Sequence, residues 1–176
     1  MNEANIIVSP LEPFAHIVKT YRPYDIISIV TITQMPQTPS YMQKENHLRL
    51  VFNDIKSPIT GLKAASEEDI IALLHHGEKW QEQQREEREK SPLYIHCWMG
   101  ISRSTAAALI IAVYLFPEKG IDFWVNMLRE KSPSATPNPY MISLADHHLQ
   151  LDGQLINAVK KIGRGRDAML GNVFRL

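Results

Sequence analysis

Apolar residues fall along this chain in short blocks, and the spacing within each block predicts the element it forms. Asn5-Ile6-Ile7-Val8 reads as a short strand. Ser9-Pro10-Leu11-Glu12 then has the form of a capping box, with Ser9 as N-cap and Glu12 three residues on, so a helix is expected to about Tyr21. Arg22-Pro23 ends it. Asp25 to Ile32 is rich in β-branched residues and suits a buried central strand. Gln34 to Asn46 holds Pro36 and Pro39 without periodicity and reads as a loop. Residues 48–52, Leu-Arg-Leu-Val-Phe, give another strand, which runs into the polar turn Asn53 to Pro58.

Ser66-Glu67-Glu68-Asp69 marks a helix start, with acidic residues where the helix dipole favours them, and Ile70, Leu73, Leu74 and Trp80 form its apolar face. Its polar continuation, Gln81 to Lys90, reads as solvated last turns. Leu93 to His96 is a short strand, and Thr105 to Phe116 is an apolar, alanine-rich run suited to a buried helix. Three further helices are expected over 122–131, 139–149 and 154–162. Strands and helices alternate early and helices dominate late. That pattern predicts an α/β fold with a central, mainly parallel sheet flanked by helices. With 176 residues, 44% of them hydrophobic and 22% charged, one compact domain over 1–176 is expected.

Charge and cysteine usage narrow the function. Nineteen Lys plus Arg balance nineteen Asp plus Glu, so the chain lacks the positive excess of a general nucleic-acid or membrane-surface binder. Any anion site is therefore local. The single cysteine, Cys97, excludes an intrachain disulfide and a cysteine-rich metal site. Ile6-Ile7-Val8 is too short for a signal-peptide core, and no apolar run reaches bilayer-spanning length, so a soluble protein of the reducing cytoplasm is expected. His75-His76 and His147-His148 are adjacent residues on expected helices and point in different directions, so they read as surface or half-buried rather than chelating. No metal site is expected from them.

The chemistry concentrates in His96-Cys97-Trp98-Met99-Gly100-Ile101-Ser102-Arg103-Ser104, between an apolar strand and an apolar helix. A strand that turns tightly into a helix leaves consecutive backbone N–H groups unpaired, with the positive end of the dipole behind them. The amides of Trp98, Met99, Gly100, Ile101, Ser102 and Arg103 would form a cradle for a tetrahedral dianion. Gly100 permits the turn, and Arg103 can return a planar guanidinium to the same anion. The same surroundings favour a thiolate at Cys97, placed for in-line attack on phosphorus. Ser104 can hydrogen-bond the sulfur and improve it as a leaving group. For His96, a ring hydrogen bond to the loop backbone is expected in preference to metal binding. Trp98 and Met99 either wall the pocket or pack beneath it. Asn138 either caps the following helix or reaches the cleft, with capping preferred. Arg164 and Arg166 are read as part of a frayed, solvated tail.

His-Cys, five residues, Arg, Ser resembles the signature of the cysteine-dependent protein tyrosine phosphatase superfamily, and Gly-x-Ser-Arg-Ser is similar to its dual-specificity branch. The resemblance covers nine residues, together with the strand and helix that flank them. It implies a phosphomonoester hydrolase working through a phosphocysteine at Cys97, with no metal or organic cofactor, on a phosphorylated protein or small phosphomonoester. It also implies an aspartic acid proton donor on a loop after an upstream strand, the kind of place that Asp54 occupies, with Asp69 as the runner-up. Asp54 lies further upstream of Cys97 than compact dual-specificity enzymes would suggest, and it lacks the Trp-Pro-Asp lid sequence of larger tyrosine-specific enzymes. The loop has no lysine, which argues against polyphosphorylated inositides. Two other readings use the same residues: a phospho-binding module of this fold without turnover, and a sulfurtransferase.

Overall fold

Alternation of side chains along the strands sorts the interior into two layers. The computed structural model describes residues 4–86 and 91–176. Within them the chain forms β1 (Ile6–Ser9), α1 (Phe14–Tyr21), β2 (Asp25–Val30), β3 (His47–Val51), α2 (Glu67–Glu86), β4 (Leu93–Cys97), α3 (Arg103–Leu115), α4 (Ile121–Lys131), α5 (Pro139–His148), α6 (Gln154–Ile162) and β5 (Phe174–Arg175). The sheet order is β3-β2-β4-β1-β5. The first four strands pair in parallel and β5 runs antiparallel to β1. The architecture is thus the expected α/β sandwich on a mainly parallel sheet.

Ile6 and Val8 of β1, Ile27 and Ile29 of β2, and Leu93, Ile95 and Cys97 of β4 join the core that also holds Trp80, Leu109, Trp124 and Leu128 from the helices. The intervening positions Ile7, Ile26 and Tyr94 face the opposite way and pack with Ile17, Phe14 and Val18 of α1. This is the period of two that a pleated strand imposes. Ala106, Ala107 and Ala108 are fully buried, and their small side chains let α3 lie close to the strands. β4 is central, flanked by β2 and β1, so its C-terminal end opens where the strand order reverses, the usual crevice for a ligand in an open α/β sheet.

Several expectations need correction. Ser9 caps no helix. It ends β1, fully buried, and its hydroxyl donates to the Pro10 carbonyl at 2.6 Å and lies 2.8 Å from the Tyr94 hydroxyl. Residues 10–13 then turn, and α1 begins only at Phe14, because the serine is held in the sheet interior instead. The helix start at Ser66 does form, and it holds a reciprocal cap with Asp69: the Ser66 amide donates to Asp69 Oδ2 at 2.8 Å and the Asp69 amide to Ser66 Oγ at 3.3 Å. The tail is not frayed. The Arg166 amide donates to the Pro133 carbonyl at 2.9 Å, and beyond it Phe174 and Leu176 are buried, with Leu176 exchanging both backbone hydrogen bonds with Ile6. A two-residue strand escapes periodicity analysis, since its order comes from β1 rather than from its own pattern. His76 is likewise buried rather than peripheral, 3.4 Å from Asp25. Of the polar run expected over 81–90, residues 87–90 lie outside the described residues.

Three buried imidazoles tie stability to pH. Desolvation pushes His47 down to about 4, assisted by Arg49. Desolvation first, and then Lys79, push His76 down to about 4. Desolvation first, and then His47, push His96 down to about 3. The unfolded chain protonates all three near 6.5, so it binds more protons than the folded chain below that pH. Stability is full above about 6.5 and falls as the pH drops toward 4. At pH 5 each ring is expected to cost about 2 kcal/mol relative to pH 7.5. Urea unfolding at the two pH values checks this: His47→Gln flattens the dependence, and a flat wild-type profile would contradict it.

Candidate active site

Cys97 is the last residue of β4, and its side chain points into the α3 layer, buried to 1% exposure. The loop that follows is held by its carbonyl oxygens. Trp98 O accepts from the Leu11 amide at 3.2 Å, and Met99 O accepts from the Gly171 amide at 2.8 Å. Ile101 O accepts from the Thr136 amide at 2.9 Å and from the Thr105 hydroxyl at 2.6 Å. Ser102 O accepts from the amides of Ala106 and Asn138. Three segments remote in sequence therefore pull the carbonyls outward. Among the described residues, no acceptor receives the amides of Trp98, Met99, Ile101, Ser102 or Arg103. Unpaired amides at a helix start are a cradle for an oxyanion.

The sulfur sits against this cradle. The Gly100 amide donates to Cys97 Sγ at 3.2 Å, and Ser104 Oγ lies 3.1 Å from the same atom. Both contacts stabilise negative charge on sulfur. Gly100 has φ +70°, and a Cβ there would stand 2.4 Å from the nitrogen of Pro10, so the turn excludes any side chain. This explains the fate of the predicted first helical turn: residues 9–11 buttress the loop rather than start α1.

Arg103, 6% exposed, donates from Nη1 to the Phe52 carbonyl at 2.8 Å, while its buried Nε has no hydrogen-bond partner. Asp54 Oδ2 lies 3.8 Å from that Nε. The Asp54 carboxylate is further held through Oδ1, which accepts from Ser102 Oγ and from Asn138 Nδ2, each at 2.7 Å. The loop therefore carries two contact groups: Cys97 with Gly100 and Ser104, and Asp54 with Arg103, Ser102 and Asn138. Asp69 does not join them, because its carboxylate is spent on the Ser66 cap. Asn138 performs both roles that were weighed against each other: Oδ1 accepts the amides of Tyr140 and Met141 and caps α5, and Nδ2 reaches Asp54. Trp98 and Met99 are half-exposed on the loop's outer side rather than packed beneath it. His96 faces the α1 layer, edge-on to Phe14, and its Nε2 is 2.6 Å from Ser28 Oγ, a partner on β2 that the sequence did not disclose. Its expected bond to the loop backbone is weak, since Nδ1 meets no acceptor in good geometry.

No family model matches the sequence, and no curated protein matches it either. Solved structures do. A PTP-2 phosphatase of Cydia pomonella superposes with a TM-score of 0.60 at 15% identity, over 84% of this chain and 87% of that one. Human DUSP28 gives 0.62 at 13% identity, over 86% and 92%. This is the dual-specificity phosphatase fold. A human tyrosine phosphatase-like serine/threonine/tyrosine-interacting protein shares it too, with a TM-score of 0.64 at 12% identity, over 86% and 95%. Within this dual-specificity fold, no group of three or more His, Cys, Asp and Glu stands ready to hold a metal among the described residues, and no described helix is long and apolar enough to cross a membrane.

The tail belongs to the site as well. A Cβ on Gly171 would stand 2.5 Å from the Gly100 carbonyl oxygen, so the strap can approach the loop only through glycine. Gly171→Val is expected to push strap and loop apart at a cost of about 1–3 kcal/mol, felt at the cradle as well as in folding. Calorimetric titration with inorganic phosphate checks this, expecting affinity about tenfold or more weaker than for the parent chain. Unchanged affinity would show that the strap does not shape the cradle.

Proposed function

We propose that the 176 residues form one phosphatase domain that hydrolyses phosphomonoesters through Cys97. The observation that carries this reading is the outward anchoring of the loop carbonyls, which leaves its amides and the buried Arg103 Nε without a hydrogen-bond acceptor around a sulfur that already accepts a loop amide. A phosphoryl group supplies the missing acceptors: its equatorial oxygens take the amides and the guanidinium, and phosphorus lies above sulfur. Cys97 sulfur attacks phosphorus, the ester P–O bond breaks, and Asp54 gives its proton to the departing oxygen. Water then attacks the phosphocysteine, returns that proton to Asp54, and releases inorganic phosphate. Ser104 donates to the sulfur as it leaves. Ser102 and Asn138 hold the Asp54 carboxyl over the loop, and phosphate competes with Asp54 for Arg103.

The half-exposed Trp98 and Met99 favour an apolar group next to the phosphate, which suits an aryl phosphate or a phosphotyrosine-bearing protein. The lone thiol suits a reducing compartment such as the cytoplasm.

Turnover of an aryl phosphate in the presence of a metal chelator separates the readings. The wild type is expected to be active and inhibited by vanadate, and Cys97→Ser to be inactive. Arg103→Ala should lose about 10²–10³-fold. Asp54→Asn should slow alkyl phosphates by about 10²–10⁴-fold while largely sparing substrates with good leaving groups. Phosphopeptide binding with no wild-type turnover would establish the binding module, and sulfur transfer from thiosulfate to cyanide the sulfurtransferase.

A further inference from the structure

On the α1 face of the sheet, four polar side chains form a line that ends beside the nucleophile. Thr38 Oγ1 lies 2.8 Å from His47 Nδ1, His47 Nε2 lies 2.7 Å from Ser28 Oγ, and Ser28 Oγ lies 2.6 Å from His96 Nε2. Ser28 and His96 are fully buried and His47 is 4% exposed. The surrounding layer is apolar or aromatic, with the Phe14 and Tyr94 rings against His96. Buried polar groups in such a place persist only when they are satisfied.

Proton counting restricts the line to few states. Each neutral imidazole has one N–H, and the Ser28 hydroxyl has one proton for two Nε2 neighbours. Repulsion from Arg49 opposes a charge on His47, and repulsion from His47 and Arg103 opposes one on His96. Two arrangements satisfy both contacts of Ser28. In one, protons point toward Cys97: Thr38 O–H donates to His47 Nδ1, His47 Nε2–H to Ser28, and Ser28 O–H to His96 Nε2, leaving His96 with its proton on Nδ1. In the other every bond is reversed. The Cys97 backbone favours a proton on the His96 ring, and Nδ1 is the nitrogen that the line leaves free. The first arrangement is selected.

We propose that Ser28 and His47 are positioning residues: with Thr38 they form a one-way hydrogen-bond relay that fixes His96 as its Nδ1–H tautomer and seats the Cys97 end of β4. The proposal rests on the phosphatase reading for its effect on catalysis, but not for the tautomer itself. Three segments anchor the loop carbonyls independently of His96, so the relay controls the seat of the sulfur rather than the phosphate cradle. A displacement of about 1 Å at a reacting atom costs about 10²-fold in rate.

Long-range proton–nitrogen NMR correlation on the full-length chain reads the tautomers directly. The expected result is His96 as Nδ1–H and His47 as Nε2–H in the wild type. Ser28→Ala is expected to abolish the single His96 tautomer and lower kcat for an aryl phosphate by about 10- to 100-fold. KM and inorganic phosphate affinity should stay within about twofold, and Ser28→Thr should restore the tautomer and most of kcat. If Ser28→Ala does not fold, Thr38→Val, at the partly exposed end of the line, is expected to change both readouts in the same direction. His96 found as Nε2–H, or a folded Ser28→Ala chain with unchanged tautomer and kcat, would overturn the relay. A wild type inactive toward phosphomonoesters would instead overturn the phosphatase reading, leaving the spectra to decide the relay.

Discussion

The structure of the site depends on one constraint: the carbonyl oxygens between Trp98 and Ser102 are held from outside. A nine-residue segment that ends a strand and begins a helix has no intrinsic reason to turn all its amides the same way. Here Leu11, Gly171, Thr136 and Asn138 each donate a backbone amide to a loop carbonyl. Preorganisation of this kind matters because donors already aimed at a developing charge need not reorganise during reaction. The cost of leaving amides unpaired is met by distributing the anchors over the β1–α1 turn, the segment before α5 and the C-terminal strap.

That distribution explains the departures from local sequence rules. Ser9 and Glu12 satisfy the pattern of a helix start, yet Pro10 and Leu11 are required against Gly100 and Trp98, and the helix waits until Phe14. The tail after α6 opens with the polar run Gly163 to Asp167, yet it is fastened by Gly165 against the Ser134 backbone, by Gly171 against Gly100, and by the pairing of β5 with β1. In both places a tertiary contact to the loop outweighs a local preference, as is common next to functional sites.

The two faces of the sheet divide the work around Cys97. On the α3 side the sulfur meets Gly100 and Ser104, and Arg103 and Asp54 lie close to each other at the loop's edge. On the α1 side His96 meets Ser28 and, through it, His47. Successive residues of one strand thus present reactive and supporting groups to opposite layers, a direct consequence of the pleat.

The sequence by itself determined the elements and the heart of the site. Strand and helix periods extend over many residues, and a thiol, glycine and arginine within one turn carry their geometry with them because the chain between them is short. The parallel sheet, the buried α3 and the place of Cys97 and Arg103 at the two ends of one short loop were legible for that reason. Asp54 entered through resemblance, and its partners Ser102 and Asn138 emerged only from folded coordinates. Ser28, His47, Gly171 and β5 were not legible at all. Each acts across a long stretch of chain, and nothing in its own neighbourhood reveals the group it meets. Only the packing of the sheet and the return of the tail decided which amides would remain free, because that depends on where distant donors arrive rather than on what the loop contains.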